Sequence, residues 1–149
     1  MNDLLPFLAA VVVAVVVAAL ARRRRTTAPP TQGGWQVPTQ LDRRDFARPD
    51  APWVVVAFTS STCSTCADVA AKSAVLESGD VAVAVVDHME RPDLHSRYAI
   101  DAVPCVVVAD GDGAVRASFL GPVRAQDLWA AVAECREPGS TPGSCEAHG

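Results

Sequence analysis

Four short runs of apolar, largely β-branched residues constrain this chain more than any other feature: Trp53–Phe58, Val81–Val86, Cys105–Ala109 and Val115–Phe119. Runs of this length and composition, bounded by turn formers, read as strands buried in a sheet. The segments between them read differently. Cys63 to about Ser78 holds helix formers with apolar positions at Val69, Ala70 and Leu76, and Gly79-Asp80 ends it. Pro92–Tyr98 reads as a short helix. Asp110-Gly111-Asp112-Gly113 is a hairpin signal. Gly121-Pro122 closes the fourth run. Arg124–Arg136 is amphipathic, with Leu128, Val132 and Cys135 on one side and Asp127, Glu134 and Arg136 on the more exposed side. This order predicts an α/β domain: a central mixed sheet with helices on both faces.

The N-terminus has another character. Residues 4–21 are Leu, Val, Ala and Phe with one proline, Pro6, and no charge. As a helix this run is ~27 Å long, close to the ~30 Å of a bilayer core. Pro6 falls in the first turn, where a missing N–H costs little. The expectation is one transmembrane helix. A cleaved signal peptide is the competing reading, because Ala19-Leu20-Ala21 is similar to an A-x-A site. Met1-Asn2-Asp3 carries no basic side chain, however, and Arg22 follows the site directly, the reverse of signal-peptide charge order. Arg22–Arg25 then place the C-terminal part in the cytoplasm by the positive-inside rule, beside anionic headgroups, with an extracytoplasmic domain as the alternative.

The expected layout is an anchor with basic flank at 1–25, a Pro/Gly linker at 26–41, a domain at 42–136 and a disordered tail at 137–149. A net charge of -4 argues against nucleic-acid binding. There are no internal repeats, and nothing calls for a cofactor. Five cysteines, Cys63, Cys66, Cys105, Cys135 and Cys145, cannot all pair within one chain and are few for a disulfide-stapled domain. One close pair with three scattered thiols reads as redox chemistry first and metal second.

Cys63-Ser64-Thr65-Cys66 sits where a predicted strand turns into a predicted helix. A thiolate attacks disulfides, and a free cysteine with a pKa of about 8.5 is mostly protonated at neutral pH. A helix N-terminus supplies unpaired N–H groups and a positive dipole end that favour the thiolate. Cys63 is then the exposed nucleophile, and Cys66, one turn on, resolves the mixed disulfide. Zinc sites share the C-x-x-C spacing, but a second such pair is absent from the sequence.

Residues 53–136 resemble a thioredoxin-family domain. The likeness rests on the strand before Cys63-Ser64-Thr65-Cys66, on Val81–Asp87 followed by the stretch Tyr98–Pro104, on the turn Asp110–Gly113, and on Gly121 before a last helix. It implies a cis peptide at Val103-Pro104 packed against the cysteine pair, with the Val103 backbone holding an extended substrate and Ser64 and Thr65 beside it. It also implies thiol–disulfide exchange with protein substrates, an upstream redox partner, and a monomer.

The chain departs from thioredoxin proper at several points. Thr62 replaces a tryptophan, and Ser64-Thr65 replaces Gly-Pro. Ala57 aligns with the family's buried acid and Val83 with its strand lysine, so that proton relay is missing, with Asp68 or Asp87 as substitutes. The run from Ser60 to Cys66 is more similar to membrane-tethered redoxin relatives, which implies a dedicated partner. Two other functions remain open: a soft-metal module using Cys63, Cys66 and Cys105, and a non-catalytic adaptor.

Cys105 reads as a small buried hydrophobe or as a third thiol at the site. Cys135 and Cys145 read as incidental, as a pair, or, for the tail thiol Cys145, as a shuttle reaching the active site. Cys145 with Glu146 and His148 supplies few metal-ligand types. His88 and His95 read as solvated, and Trp35 and Trp129 as packing residues.

Overall fold

The computed structural model describes residues 36–140. The predicted membrane helix, its arginine flank, Trp35, most of the linker and residues 141–149 of the tail, with Cys145, lie outside the described residues. Among the described residues no helix is long and apolar enough to cross a membrane.

The strands are β1 (Trp53–Thr59), β2 (Val81–Asp87), β3 (Cys105–Asp110) and β4 (Val115–Leu120). The helices are α1 (Cys66–Ala74), α2 (Pro92–Arg97) and α3 (Ala125–Arg136), preceded by one 3-10 turn at Arg43–Asp45. The sheet runs β2-β1-β3-β4, with β1 and β2 parallel and the other pairings antiparallel. It is the expected mixed sheet.

Alternation along β1 sorts the core into two layers. Val54, Val56 and Phe58 join Val107, Leu94 and Tyr98 on the face that α2 covers. Val55 and Ala57 join Val106, Val69, Leu128 and Val132 on the face that α1 and α3 cover. Because both faces of β1 are covered, its sequence is a continuous apolar run rather than an alternating one. Each fully buried valine or leucine contributes about 1.5–3 kcal/mol relative to exposure.

Three boundaries differ from expectation by more than one residue. α1 begins at Cys66, not Cys63, because Cys63 sits in a turn: its N–H bonds Ser60 O, and Cys66 N–H bonds Cys63 O. α1 ends at Ala74, not Ser78. Leu76 and Glu77 bond back three residues, and Arg48 holds the loop that follows by donating to the carbonyls of Ser78 and Gly79. Finally, residues 36–41, read as linker, include a piece of the domain. Gln40 bridges Ala114, Leu41 N–H donates to Gly113 O at 2.8 Å, and the Leu41 side chain is in the core.

Candidate active site at the start of helix α1

Cys63 and Cys66 are joined as a disulfide, with Cα atoms 5.4 Å apart. The strand β1 ends at Thr59, and Ser60–Thr62 make the turn that delivers Cys63. Ser60 Oγ and Thr62 Oγ1 lie 3.0 Å apart and hydrogen-bond, while Cys63 N–H donates to Ser60 O at 3.0 Å. Cys66 is 3% exposed, whereas Cys63 is half-buried and its neighbours Thr62, Ser64 and Thr65 are exposed. Cys63 is therefore the more exposed residue of the pair. The Thr65 hydroxyl lies 3.6 Å from Cys63 Sγ.

The peptide Val103-Pro104 is cis. Pro104 precedes Cys105, the register partner of Phe58, so Pro104 lies at the end of the sheet where β1 enters the cysteine turn. Pro104 is buried, Val103 is half-buried, and Pro104 O accepts the Gly121 N–H at 2.8 Å. Gly121 has φ +87°, a left-handed conformation that glycine adopts without strain.

The proposed substitutes for a buried acid are occupied elsewhere. Asp68 pairs with Lys72 on the surface of α1. Asp87 caps the turn after β2 by accepting the Met89 N–H at 2.8 Å. Ala57 is fully buried against apolar side chains.

Cys105 is 1% exposed, and burial pushes its thiol up to about 12. It packs with Phe58 and Leu94. Among the described residues no three His, Cys, Asp or Glu side chains are grouped so that they could hold a metal ion. Cys135 is half-buried against the α1/α3 layer, and its thiol is also raised, chiefly by burial.

The histidine expectation is corrected in one half. His88 is exposed, but His95 is 3% exposed, with Nε2 3.0 Å from Val86 O and its ring edge-on to Phe58. The signal was its place between Leu94 and Tyr98 on one short helix, which turns His95 toward the sheet. Trp129 is part-exposed and donates from Nε1 to Lys72 O at 3.2 Å, tying α3 to α1.

A second cluster went unnoticed in the sequence. The Tyr98 hydroxyl accepts the Asp42 N–H at 3.0 Å and donates to Asp45, while Arg97 pairs with Asp42 and Asp45. Asp42, Arg97 and Tyr98 line a groove of about 640 Å³ that includes Gly111 and Asp112. It lies at the end of the sheet away from the cysteine turn.

The thioredoxin family model matches residues 43–134, more than half of the chain. The chain belongs to the thioredoxin family. Among solved structures, a malarial protein is similar to it at 16% identity and a TM-score of 0.51, over 56% of this chain and 96% of that one. That likeness shows the fold alone. A mutant thioredoxin from Halobacterium salinarum NRC-1 is 26% identical over 54% of this chain and 71% of its own, with a TM-score of 0.46. No curated protein matches the sequence. For a thioredoxin-family domain, a C-x-x-C pair at disulfide distance is consistent with thiol–disulfide redox chemistry.

Proposed function

We propose that this chain is a membrane-tethered thiol–disulfide oxidoreductase acting on protein substrates. The observation that carries the reading is the Cys63–Cys66 disulfide, with Cys63 the more exposed residue and Cys66 buried at the start of α1.

In the reductive direction the Cys63 thiolate attacks one sulfur of a substrate disulfide. That bond breaks, a Cys63–substrate disulfide forms, and the first substrate sulfur leaves as a thiolate that takes a proton from water. Cys66 gives its proton to solvent and attacks Cys63 Sγ. The internal disulfide forms and the second substrate sulfur leaves. Two electrons and two protons pass from the dithiol to the substrate, and an upstream dithiol partner restores the pair. Val103, cis-Pro104, Ser64 and Thr65 are the proposed contacts for an extended substrate segment: Ser64 and Thr65 lie between the cysteines in sequence, and Pro104 lies at the end of the sheet where β1 enters the cysteine turn.

The tether is the apolar run 4–21, and Arg22–Arg25 favour a cytoplasmic domain, a monomer held off the membrane by the linker. A reducing compartment favours the reductant direction.

The test is a redox titration of the full chain against glutathione or dithiothreitol, with disulfides mapped by mass spectrometry. A reversible Cys63–Cys66 couple near about -270 mV supports a cytoplasmic reductant, and one near about -120 mV supports an oxidant on the other side of the membrane. No such disulfide at any poise sinks the redox reading and leaves the metal-binding or adaptor functions.

A further inference from the structure

The geometry points to Thr65 as a positioning residue for the nucleophile: its hydroxyl donates a hydrogen bond to the Cys63 sulfur and holds the reduced thiol in its charged form. This inference rests on the exchange reading above and deepens it.

Thr65 occupies the N-cap of α1. A threonine there ordinarily turns its oxygen onto an N–H of the first helical turn. Thr65 makes no such bond. Its Oγ1 lies instead 3.6 Å from Cys63 Sγ. Neither sulfur of a disulfide carries a hydrogen, so Thr65 Oγ1 is the donor of that contact. A disulfide sulfur is a weak acceptor. A thiolate sulfur carries a full charge and accepts a stronger bond. On reduction the contact therefore gains strength in the charged form, and a hydrogen bond to the charged form lowers a thiol pKa.

Two other hydroxyls of the turn are spent elsewhere. Ser60 Oγ and Thr62 Oγ1 bond each other, and Ser60 Oγ also accepts the Thr62 N–H at 3.4 Å. Among the described residues, Thr65 is the side chain hydrogen-bonded to Cys63 Sγ. Its hydroxyl has left the usual capping position at the point where the chemistry occurs, where a broken local rule has a functional explanation.

The test measures iodoacetamide alkylation of the Cys63 peptide against pH, by mass spectrometry, on the reduced full chain. Thr65→Val should raise the Cys63 pKa by about one unit, about ten-fold less thiolate at pH values below both pKa values. Thr65→Ser keeps the hydroxyl and should restore the pKa. Cys105 reports the fold, because a buried thiol stays unalkylated. If Thr65→Val exposes Cys105, Thr65→Ala makes the same deletion. An unmoved pKa, or an equal shift in Thr65→Ser, overturns the proposal. So does a Thr65→Val variant altered only in its exchange rate with a protein disulfide, since a substrate contact leaves the free thiol unchanged. Absence of a reversible Cys63–Cys66 disulfide in the same maps overturns the exchange reading as well, which separates the two failures.

Discussion

Phe58 and Cys105 are register partners across β1 and β3, and both are buried on the face that α2 covers. The strand that delivers the cysteine turn is thus locked to the residue after cis-Pro104. A shift of one residue in this pairing would move every side chain of β3 to the other face and Pro104 away from the end of β1.

Cys105 is consequently a structural thiol. Cys105→Ser puts a hydroxyl into the apolar layer and should cost about 1–3 kcal/mol, read as a lower urea midpoint with an unchanged slope. The native thiol, pushed up to about 12 by burial, should resist alkylation at pH 8 until the domain unfolds.

The proposed exchange predicts opposite behaviour for the two active-site sulfurs. Cys63→Ser should reduce insulin-type disulfide turnover to background. Cys66→Ser keeps the nucleophile without the resolving thiol, so Cys63-linked mixed disulfides should accumulate on non-reducing gels. Equal trapping by both variants would contradict the assigned order.

Two glycines should respond differently to alanine. Gly113 has φ +81°, and an added Cβ would meet Leu41 O at 2.0 Å. Gly113→Ala should therefore destabilise by about 2 kcal/mol or more and loosen the 40–41 strap. Gly79 has no neighbour within 4 Å of such a Cβ, and its φ lies outside the left-handed range. Gly79→Ala should be neutral to about 1 kcal/mol stabilising. Urea unfolding of both variants checks the contrast.

The Tyr98 cluster predicts a pH dependence of stability. Burial and then the bond to Asp45 raise the phenol from 10.0 to about 12. Its contribution is complete below pH 10.0 and is lost as pH rises through about 12. The Arg44 hydrogen bonds lower the Asp42 carboxyl from 3.8 to about 2. That contribution is complete above pH 3.8 and is lost as pH falls through about 2. Tyr98→Phe should remove the alkaline component and cost about 1 kcal/mol at neutral pH. Thermal melts of both proteins from about pH 2 to about pH 12 read the difference.

The strands and the placement of the cysteine pair were legible in the sequence because they depend on local chemistry. β-branched runs such as Trp53–Phe58 and Val81–Val86 favour strands, the Asp110–Gly113 turn favours a hairpin, and a C-x-x-C between strand and helix needs only neighbouring residues. What tertiary structure decided depends on groups distant in the chain. His95 looked solvated by composition, yet Val86 O and Phe58 give it a buried partner and a ring to pack on. Leu41 followed a Pro/Gly stretch, yet Gly113 O captures its backbone and the core takes its side chain. α1 has helix formers past Ala74, yet Arg48, distant in sequence, holds the loop beyond it. The Thr65 hydroxyl follows the same logic. The sequence by itself placed Thr65 inside a helix starting at Cys63, and only the folded turn made it the N-cap with its oxygen facing sulfur rather than the backbone, because hydrogen bonds go to whichever partner the packed chain brings within reach.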